Sequence, residues 1–263
     1  MKLRIVTATR GESPFWPQAA ASVAQSVPAA EHVVVCRESR LPEVIKERPV
    51  ICGVAEKTSG LYAALNQGLR DPAGDWDAFT WLNDDDLLLA PGFASLVAEL
   101  ERQPAIDILY GGVDLINGRG EPIGALPVAR RGGDLAALLR RGIVPLAQPG
   151  TVIRRSCFER LGGFDESYWL AGDLDFFVRA LAAGARFGFV PAQVAAFRLS
   201  AGQLSKQRAG METETARALQ PLGNGRRKPG ALLRFRLGNL GVYLDRLRRH
   251  GWVSMRDLYD RTE

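Results

Sequence analysis

β-Rich segments alternate with helical segments at short spacing through the first 115 residues of the chain, and this alternation limits the folds open to it. Strands are predicted at 3–9, 31–36, 49–54, 78–82 and 106–116, and helices at 15–26, 42–47, 61–69 and 92–103. Strands that are joined by helices form parallel sheets with right-handed crossovers. The sequence therefore predicts an α/β fold with a doubly wound, mainly parallel sheet, whose ligands bind beyond the carboxyl ends of the strands.

The second half of the chain is less regular. Helices are predicted at 132–141, 156–161 and 174–183, strands at 150–154, 187–190 and 194–198, and a polar loop at 199–206. A linker rich in glycine, proline and arginine, 223–230, precedes a C-terminal helix. Five leucines recur in that helix at spacings of four and three residues and line one face: Leu233, Leu237, Leu240, Leu244 and Leu247.

Positive charge is concentrated in the C-terminal tail. Eight arginines and lysines and one acid, Asp245, lie between positions 226 and 249, so this stretch carries +7. The whole chain of 263 residues carries +5, which leaves about −2 for the rest. A slightly acidic body without interleaved aromatic and basic residues argues against nucleic acid as a partner. Three alternatives stay open for the tail helix: an anionic membrane face, the main domain, or a second subunit in a homodimer.

The sequence has no apolar run of the roughly 18 residues that span a bilayer, and its first residues lead directly into a strand. The three cysteines, Cys36, Cys52 and Cys157, are expected to be buried free thiols in a reducing compartment. We therefore expect a cytoplasmic protein, with peripheral contact at the inner face of the membrane as the alternative for the tail.

An acidic cluster, Asn83-Asp84-Asp85-Asp86, follows the strand predicted at 78–82. Adjacent carboxylates repel one another unless they are solvated, protonated or bound to a cation. Mg²⁺ or Mn²⁺ suits such a cluster, because these ions usually take one or two carboxylates plus substrate phosphates. A solvated acidic turn that caps the next helix is the structural alternative.

Four segments of the chain resemble the family 2 inverting glycosyltransferases, which have the GT-A fold. They are the first strand and loop, 5–10; the segment 59–68, with its Gly60 and Asn66; the Leu-Asn-x-Asp-Asp form of the metal motif at 82–86; and an acceptor-side block from 148 to 179 that contains the catalytic acid. Together they cover roughly residues 3–205 in the family's order. The resemblance implies a metal-dependent hexosyltransferase that moves a sugar from a nucleotide-diphospho-sugar to a hydroxyl acceptor, in polysaccharide or glycoconjugate assembly.

The resemblance also implies a division of the chain. Residues 1–115 would form the nucleotide-sugar-binding half of a GT-A domain, 116–222 the acceptor-binding and catalytic half, and 223–263 a basic helical tail. A UDP-sugar is the leading donor, Mn²⁺ or Mg²⁺ the cofactor, and a lipid-linked molecule one candidate acceptor.

The site roles that the resemblance implies fall on matching positions of this sequence. Asp86 would be the main metal ligand, and Asp85 would share the metal or contact the ribose. Asp173 would be the general base that takes the proton of the acceptor hydroxyl. The other nucleotide-sugar contacts would be Thr7, Thr9, Arg10, Glu12, Glu38, Gly60, Asn66 and Asp84. The acceptor contacts would be Gly163, Phe164, Asp165 and Trp169.

Two further expectations concern charged side chains. The polar segment 198–206 would close as a lid over the diphosphate, with Arg198 or Lys206 as its cation. Asp173 and Asp175 lie two residues apart at a helix start and cannot share a face. We therefore expect Asp175 to be structural, paired with Arg179, while stabilisation of a helix N-terminus is the alternative for both acids.

The sequence departs from the family pattern at three positions. Cys36 stands in place of the usual acid after the second strand, where Glu38 is the nearby substitute, and Thr58 and Gly172 each replace an acid as well. Two alternatives therefore stay open: a nucleotidyltransferase that makes nucleotide sugars, and a non-catalytic nucleotide-sugar-binding module. Against the first, the loop after the first strand lacks a glycine-rich phosphate-binding turn.

Overall fold

One mixed sheet organises the residues that the computed structural model describes, which are 1–46, 51–71, 74–200, 208–223, 225 and 228–251. The strands of these residues are β1 (Leu3–Ala8), β2 (Glu31–Cys36), β3 (Ile51–Ala55), β4 (Ala78–Trp81), β5 (Leu87–Leu88), β6 (Ile108–Ile116), β7 (Pro122–Ala125), β8 (Thr151–Arg154) and β9 (Phe187–Arg198). Their helices are α1 (Trp16–Ser26), α2 (Leu41–Val44), α3 (Leu61–Arg70), α4 (Gly92–Arg102), α5 (Leu135–Leu139), α6 (Arg155–Arg160), α7 (Gly172–Ala182), α8 (Arg208–Leu219), α9 (Ala231–Gly238) and α10 (Leu240–His250).

The sheet combines a parallel half with a mixed half. Its strand order is β3-β2-β1-β4-β8-β6-β9-β5, and β7 pairs with β6 outside this path. The neighbours β3, β2, β1 and β4 are all parallel, as the alternation of strands and helices predicts. β8 runs antiparallel to both β4 and β6, whereas β9 is parallel to β6. The predicted α/β class is confirmed.

Alternating side chains in the central strands give the sheet a core on each face. Val6 and Val33 point into one core, which α3 covers with Leu65. Ile5, which precedes Val6, and Val34, which follows Val33, point into the other core, which α1 covers with Ala19. Successive strand residues face opposite sides, so these apolar runs are buried on both faces, as is usual where helices cover both faces of a parallel sheet.

The loops that follow β1, β2 and β4 meet at one edge of the sheet. An Arg40 Nη2 atom, just after β2, donates to the carbonyl oxygen of Gly11, just after β1, over 2.8 Å. The Ser13 hydroxyl in the same β1 loop donates to the carbonyl oxygen of Asp84 over 3.1 Å. The loops after β1, β2 and β4 are therefore neighbours, because the carboxyl ends of parallel strands lie at the same edge.

Several elements differ from the prediction. β9 is one strand rather than two, because a shift in its pairing with β6 between Tyr110 and Gly112 absorbs the irregularity around Pro191. α8 has no clear apolar stripe and was not predicted, nor were the short strands β5 and β7. Parts of the predicted elements, 47, 49–50 and 201–206, lie outside the described residues.

The C-terminal helices α9 and α10 pack on the domain through one face. Phe235 and Asn239 are buried there, and the Asn239 side chain bonds to both the N–H and the carbonyl oxygen of Val128. The five regularly spaced leucines lie on the other face and are exposed. Packing of the tail on the main domain, one of its three alternatives, is therefore observed, although the leucines lie on the opposite face. In the described part of the chain, none of the helices is both long and apolar enough to cross a membrane.

All three cysteines are free thiols. Cys36 and Cys157 are buried and Cys52 is half-buried. Burial raises the pKa of the Cys36 and Cys157 thiols to about 11, so both are protonated near neutral pH and unreactive. The three thiols are free as expected, although Cys52 is less buried than the prediction of buried thiols implies.

Candidate functional site

The acidic cluster after β4 holds three aspartates in three different environments. Asp86 is completely buried. One of its carboxylate oxygens accepts from the Arg198 N–H over 2.9 Å, and the other accepts from the Asn83 amide over 3.0 Å. Burial raises the pKa of Asp86 well above its usual range, and the charge of Asp85 adds to this. Asp86 therefore ties the cluster to β9, and its position does not fit the predicted role of main metal ligand, which requires an accessible oxygen.

Asp84 faces the loop that follows β1. The Thr9 hydroxyl donates to its carboxylate, and the same hydroxyl accepts from the Gly11 N–H over 2.9 Å. Burial raises the pKa of Asp84, although the bond from Thr9 and the charge of Arg10 oppose the shift. The structure thus brings Thr9, Arg10 and Asp84 together, as predicted for residues of one site.

Asp85 is partly exposed at the tip of the cluster. Its carbonyl oxygen accepts from the Arg198 guanidinium over 2.7 Å, which fixes the backbone of the turn. Its negative charge raises the pKa of both neighbouring aspartates, so the three carboxylates are close enough to repel one another. Repulsion of this kind favours either protonation or a bound cation.

The donor atoms fit a divalent ion that is shared with a phosphate group. Among the residues described, no group of three or more His, Cys, Asp and Glu side chains is arranged to hold a metal by itself. Mg²⁺ and Mn²⁺ commonly bind through one or two carboxylates and take their other ligands from phosphates and water. Asp85 and Asp84 are the accessible carboxylates that suit such an ion, whereas a closed cage of protein ligands does not fit.

Two predicted nucleotide contacts are committed to the protein interior instead. Thr7 is completely buried, with its hydroxyl 3.0 Å from the Nε2 atom of His32. Burial lowers the pKa of His32 to about 4, so the ring is neutral. The Asn66 amide donates to the Phe164 carbonyl oxygen and to Glu166, and its oxygen accepts from the Phe164 N–H. Thr7 and Asn66 therefore hold the scaffold together and do not offer polar groups to a ligand.

The other predicted donor contacts lie at the rim of the same edge. Arg10 and Glu12 are exposed in the β1 loop, and Glu38 is exposed in the short 3-10 helix Glu38–Arg40 that follows β2. Gly60 precedes α3 with a φ of 131°, in a region that favours glycine. A Cβ atom at Gly60 would lie 3.9 Å from the Trp169 ring, so the predicted donor and acceptor segments adjoin here.

Asp173 lies in the first turn of α7, beside the α3 helix. Its Oδ1 atom accepts from the Leu174 N–H over 2.8 Å, and the Tyr62 hydroxyl lies 3.5 Å from the same atom. Burial is the largest influence on Asp173 and raises its pKa above the usual value, and the charge of Glu214 acts in the same direction. A carboxylate with a raised pKa is a stronger base than an ordinary aspartate once it is ionised.

Asp175 is structural, as predicted from its spacing. Its carboxylate accepts from Arg179 over 2.7 Å, and the same guanidinium donates to the carbonyl oxygens of Leu161 and Gly163. This ion pair joins α7 to the loop that precedes it.

The Tyr62 ring explains the unusual glycine before Asp173. A Cβ atom at Gly172 would lie 2.6 Å from the ring, closer than van der Waals contact allows. The Tyr62 hydroxyl also donates to the carbonyl oxygen of Leu170 over 3.2 Å. The ring therefore occupies the space that the glutamate usual in the family would need, and it supports the turn that leads into α7.

Glu214 on α8 is a site residue that was missed from the sequence. Its carboxylate accepts three backbone N–H groups in a row, from Trp169, Leu170 and Ala171, over 2.8 to 2.9 Å. These bonds fix the segment directly before Asp173. Because Glu214 lies in a helix without a recognisable motif, only the tertiary structure connects it to the site.

The predicted acceptor residues divide into buried and exposed groups. Phe164 is buried in an aromatic cluster, 4.9 Å from the Trp81 ring between centroids, and Gly163 beside it is buried as well. Because Gly163 and Phe164 are both buried, neither offers a surface to an acceptor. Their predicted role as acceptor contacts is therefore wrong. Asp165 and Trp169 are exposed, and Arg217 of α8 lies 3.8 Å from the Asp165 carboxylate.

Arg198 does not belong to a mobile lid. It ends β9, is completely buried, and its guanidinium donates to Asp85, Asn117 and Gln18. The guanidinium also lies 4.3 Å from the centre of the Phe15 ring. Its predicted role as a lid cation is therefore wrong. The other predicted cation, Lys206, lies outside the described residues.

Comparison with known proteins identifies the fold. No protein-family profile matches the sequence, and no curated protein matches it either. Among solved structures, the mannosyltransferase PcManGT from Pyrobaculum calidifontis, in complex with GDP-Man and Mn²⁺, aligns with 98% of this chain and 77% of its own, with a TM-score of 0.64 and 16% identity. The 1–349 form of S. aureus TarS, in complex with UDP-GlcNAc, aligns with 94% of this chain and 80% of its own, with a TM-score of 0.63 and 15% identity.

This chain spans only part of a longer relative. It covers 45% of the longer TarS structure, with a TM-score of 0.63 and 16% identity. Identities this low establish similarity of fold and no more. The chain therefore has the GT-A fold.

Proposed function

We propose that this protein is a glycosyltransferase that moves a sugar from a nucleotide-diphospho-sugar to a hydroxyl acceptor. The observation that carries the proposal is the presence of two acidic features on the GT-A fold, the cluster after β4 and Asp173 at the start of α7. Asp84 and Asp85 lie where β4 ends, beside the loop after β1. Asp173, with its raised pKa, lies in the first turn of α7 beside Tyr62 of α3, the helix that follows Gly60.

A path of packed aromatic rings connects the two acidic features. Trp81, the last residue of β4, packs its ring against Phe164, with centroids 4.9 Å apart. The Phe164 ring is 5.8 Å from that of Tyr62, whose hydroxyl approaches Asp173. Rigid packing of this kind holds catalytic groups at a fixed separation, which transfer between two bound substrates requires.

The ligands of the structural neighbours support a nucleotide-sugar donor. PcManGT was solved with GDP-Man and Mn²⁺, and TarS was solved with UDP-GlcNAc and with UDP. In this chain, Thr9 and the exposed Arg10 and Glu12 are the groups we assign to the nucleoside. A UDP-sugar remains the leading donor, and a GDP-sugar is the first alternative to test.

We assign the donor diphosphate to the Asp84–Asp85 end of the acidic cluster. A divalent ion held there by Asp85 would neutralise the charge that develops on the leaving diphosphate. Asp86 holds the turn in place through Arg198, so the accessible carboxylates are presented at a fixed position. This arrangement divides the cluster into a buried anchor and an accessible ligand.

We assign the role of general base to Asp173. Its ionised carboxylate would take the proton of the acceptor hydroxyl as that oxygen attacks the sugar carbon. Attack from the side opposite the diphosphate would invert the configuration at that carbon, as in family 2, and would need no covalent intermediate. Trp169, which is exposed beside Gly60, is the side chain we assign to contact with the acceptor.

The proposal extends to the setting of the reaction. We infer an acceptor in polysaccharide or glycoconjugate assembly from the resemblance, and a cytoplasmic location from the three free thiols. The replacement of an acid by Gly172 was one argument for a non-catalytic binding module. The Tyr62 ring explains this glycine by packing, and Asp173 is still present beside that ring, so the argument is weaker.

A thermal-shift screen tests the donor class. The full chain would be heated with UDP, GDP, ADP or CDP, each with and without Mn²⁺. A ligand that binds only the folded state should raise the melting temperature by about 5 °C at a concentration of about 100 Kd. We expect one nucleoside diphosphate to do so with Mn²⁺ only. No rise with any nucleotide would contradict the proposal.

A further inference from the structure

The C-terminal helices expose an unusual amount of apolar surface. Leu233, Leu237, Leu240, Leu244 and Leu247, called here the leucine face, are between 37% and 63% exposed. In the described part of the chain, only Val144 and Trp169 are comparably large and exposed hydrophobic residues. Isolated exposed leucines are ordinary in soluble proteins, but a contiguous stripe of five marks a binding surface.

The leucine face points outward because the opposite face of α9 and α10 is firmly docked. Arg234 forms two bonds of 2.8 Å with Asp134, and Asn239 bonds to the backbone of Val128. Near the end of α10, the His250 ring lies 2.7 Å from the carbonyl oxygen of Ile123. Residues four apart, such as 231, 235 and 239, fill the docked face, so the leucines at 233, 237 and 240 must turn away from the domain.

The charge around the leucine face is strongly positive. Five arginines and one acid, Asp245, lie between 231 and 251, which gives +4. Arg236 and Arg248 are exposed beside the leucines at the same helical spacing. The single acid is already paired, since Asp245 accepts from Arg249 over 2.8 Å.

The positive charge around the leucine face favours an anionic bilayer over a second copy of the chain as its partner. A second copy of the chain would bring the exposed Arg236 and Arg248 against an identical basic surface, and like charges across an interface oppose association. A bilayer with acidic headgroups satisfies both features, because its acyl boundary accepts the leucines and its phosphates attract the arginines.

We propose that the leucine face of α9 and α10 lies in the surface of an anionic lipid bilayer, with Arg236 and Arg248 contacting the acidic headgroups. The helices would lie parallel to the membrane plane, with the leucines at the boundary between headgroups and acyl chains. This interaction goes beyond the proposed transfer reaction and does not depend on it.

Docking would orient the acidic edge relative to the bilayer. Arg249 and His250 approach the carbonyl oxygens of Pro122 and Ile123 in β7. β7 forms a hairpin with β6, and the turn of that hairpin accepts from Arg198 at the carbonyl oxygen of Asn117. The hairpin thus joins the leucine face to the residue that anchors the acidic cluster.

Co-sedimentation of the full chain with vesicles tests the proposal. We expect binding to phosphatidylcholine vesicles that contain phosphatidylglycerol, weaker binding at high salt, and little binding to pure phosphatidylcholine. Replacing both Arg236 and Arg248 by glutamine should weaken binding by about fivefold for each arginine. Arg141→Gln, which changes an exposed arginine outside α9 and α10, is the matched control and should have no effect.

Leucine variants test the apolar part of the surface. Leu237→Gln and Leu244→Gln should each weaken vesicle binding by roughly tenfold. Val144→Gln, which changes a 51% exposed valine outside the leucine face, is the control and should bind as the wild type does. Unchanged melting temperatures, and unchanged stabilisation by the nucleoside diphosphate found in the screen, would show that the fold and the donor site are intact in every variant.

Two results would overturn the proposal. If the wild type ignores acidic vesicles and is a dimer by light scattering that Leu237→Gln converts to a monomer, the leucine face is a subunit interface. If the wild type ignores acidic vesicles and is a monomer, the face is not a lipid-binding surface, and residues 252–263 of the chain itself become the candidate to cover it. Neither result would bear on the donor screen, so failure here is separable from failure of the proposed function.

Discussion

Burial separates three aspartates that are adjacent in sequence and chemically identical. Asp86 turns inward, where Asn83 and the Arg198 N–H satisfy its two oxygens. Asp84 turns toward Thr9, and Asp85 stays partly exposed. A metal ion that is shared with substrate needs an accessible carboxylate, and we therefore propose Asp85 as the ligand, while Asp86 anchors the turn.

Substitution of these two aspartates should have opposite consequences. Asp86→Asn would place an amide donor against the Arg198 N–H or the Asn83 amide, and should lower the free energy of unfolding by about 1–3 kcal/mol. Asp85→Asn should leave stability nearly unchanged and weaken Mn²⁺-dependent binding of the nucleoside diphosphate by at least about tenfold. Calorimetric titration and thermal unfolding measure the two effects.

Asp75→Asn is the control for both variants, because Asp75 is 80% exposed and lies away from the cluster. The assignment fails if Asp86→Asn folds normally and abolishes metal-dependent binding while Asp85→Asn binds as tightly as the wild type.

A second prediction for single residues follows from the raised pKa of Asp173. Its charged and polar neighbours are Tyr62 from α3, Glu214 from α8 and the Leu174 N–H of its own helix. Because burial and Glu214 raise its pKa, activity should fall on acidification at a higher pH than for an ordinary aspartate. Removing the charge of Glu214 should lower that pKa, so Glu214→Gln should shift the acidic limb of the kcat/KM profile to lower pH.

Glu214→Gln should also reduce kcat about tenfold or more and leave the KM for the donor unchanged, since a weaker base and a looser turn affect the transfer step. Glu212→Gln, two residues away and exposed, is the matched control. An acidic limb that stays in place, or a donor KM that rises while kcat is unchanged, would remove Glu214 from this positioning role.

Residue types in a motif indicate where a site lies, but they do not show where each side chain points. The positions of Asp84, Asp85 and Asp173 follow from strand ends and from the family resemblance. Thr7, Asn66 and Arg198 have equally suitable chemistry, yet each is bonded inside the protein. The hydrogen-bond partners of these side chains lie far away in the sequence, so the local sequence does not indicate them.

At the scale of elements, α3 and α7 pack closely together where Gly172 of α7 meets the Tyr62 ring of α3. The space beside Gly172 is filled by the Tyr62 ring, at 2.6 Å from where a Cβ atom would lie. This contact sets the position of the first turn of α7 and therefore of Asp173. A close approach of this kind requires glycine on one side.

Gly172→Ala should consequently destabilise the protein, although alanine is the better helix former. We expect a loss of about 1–3 kcal/mol from overpacking, measured by chemical denaturation. Gly241→Ala in α10 is the matched control, because nothing lies within 4 Å of its Cβ position. It should be neutral or stabilising by about 1 kcal/mol. Equal effects of the two substitutions would show that the Tyr62 contact is not tight.

The spacing of apolar residues predicts the helices and strands that bury their residues in a regular pattern, and it does not predict the others. The β2 strand and the helices α1, α3 and α4 were predicted to within a residue or two, because their apolar spacing is regular. α8 lacks such spacing, and its Glu214 and Arg217 side chains bond to Ala171 and Ser167 in the segment before α7. β5 and β7 are too short for their alternation to be recognised.

At the scale of the molecule, one sheet joins the two predicted halves of the chain. β4 from the first half pairs with β8 from the second, and β6 pairs with β9. The groups that we assign to the sugar donor come from the ends of β1 and β4, while Asp173 and Glu214 come from helices of the second half. The predicted boundaries at 115 and 222 remain a prediction, with the sheet continuous across the first of them.

The distribution of charge also acts at this scale. The basic tail and the slightly acidic body are separate regions of the sequence, and the structure exposes the tail's leucines together with Arg236 and Arg248. A membrane-docked enzyme would meet lipid-linked acceptors by diffusion in two dimensions. The sequence predicts the leucine stripe, but only the structure shows which face of the helix is docked.

The release of nucleoside diphosphate from a nucleotide sugar, compared between the wild type and Asp173→Asn, tests the central claim most directly. The donor is the one selected by the thermal-shift screen, with Mn²⁺ present, and water or an added hydroxyl compound serves as acceptor. The account predicts that Asp173→Asn is stabilised by the donor as the wild type is, but releases diphosphate about 10²- to 10⁴-fold more slowly. Equal release rates, or a wild type that binds the donor and releases nothing with any hydroxyl acceptor, would contradict it.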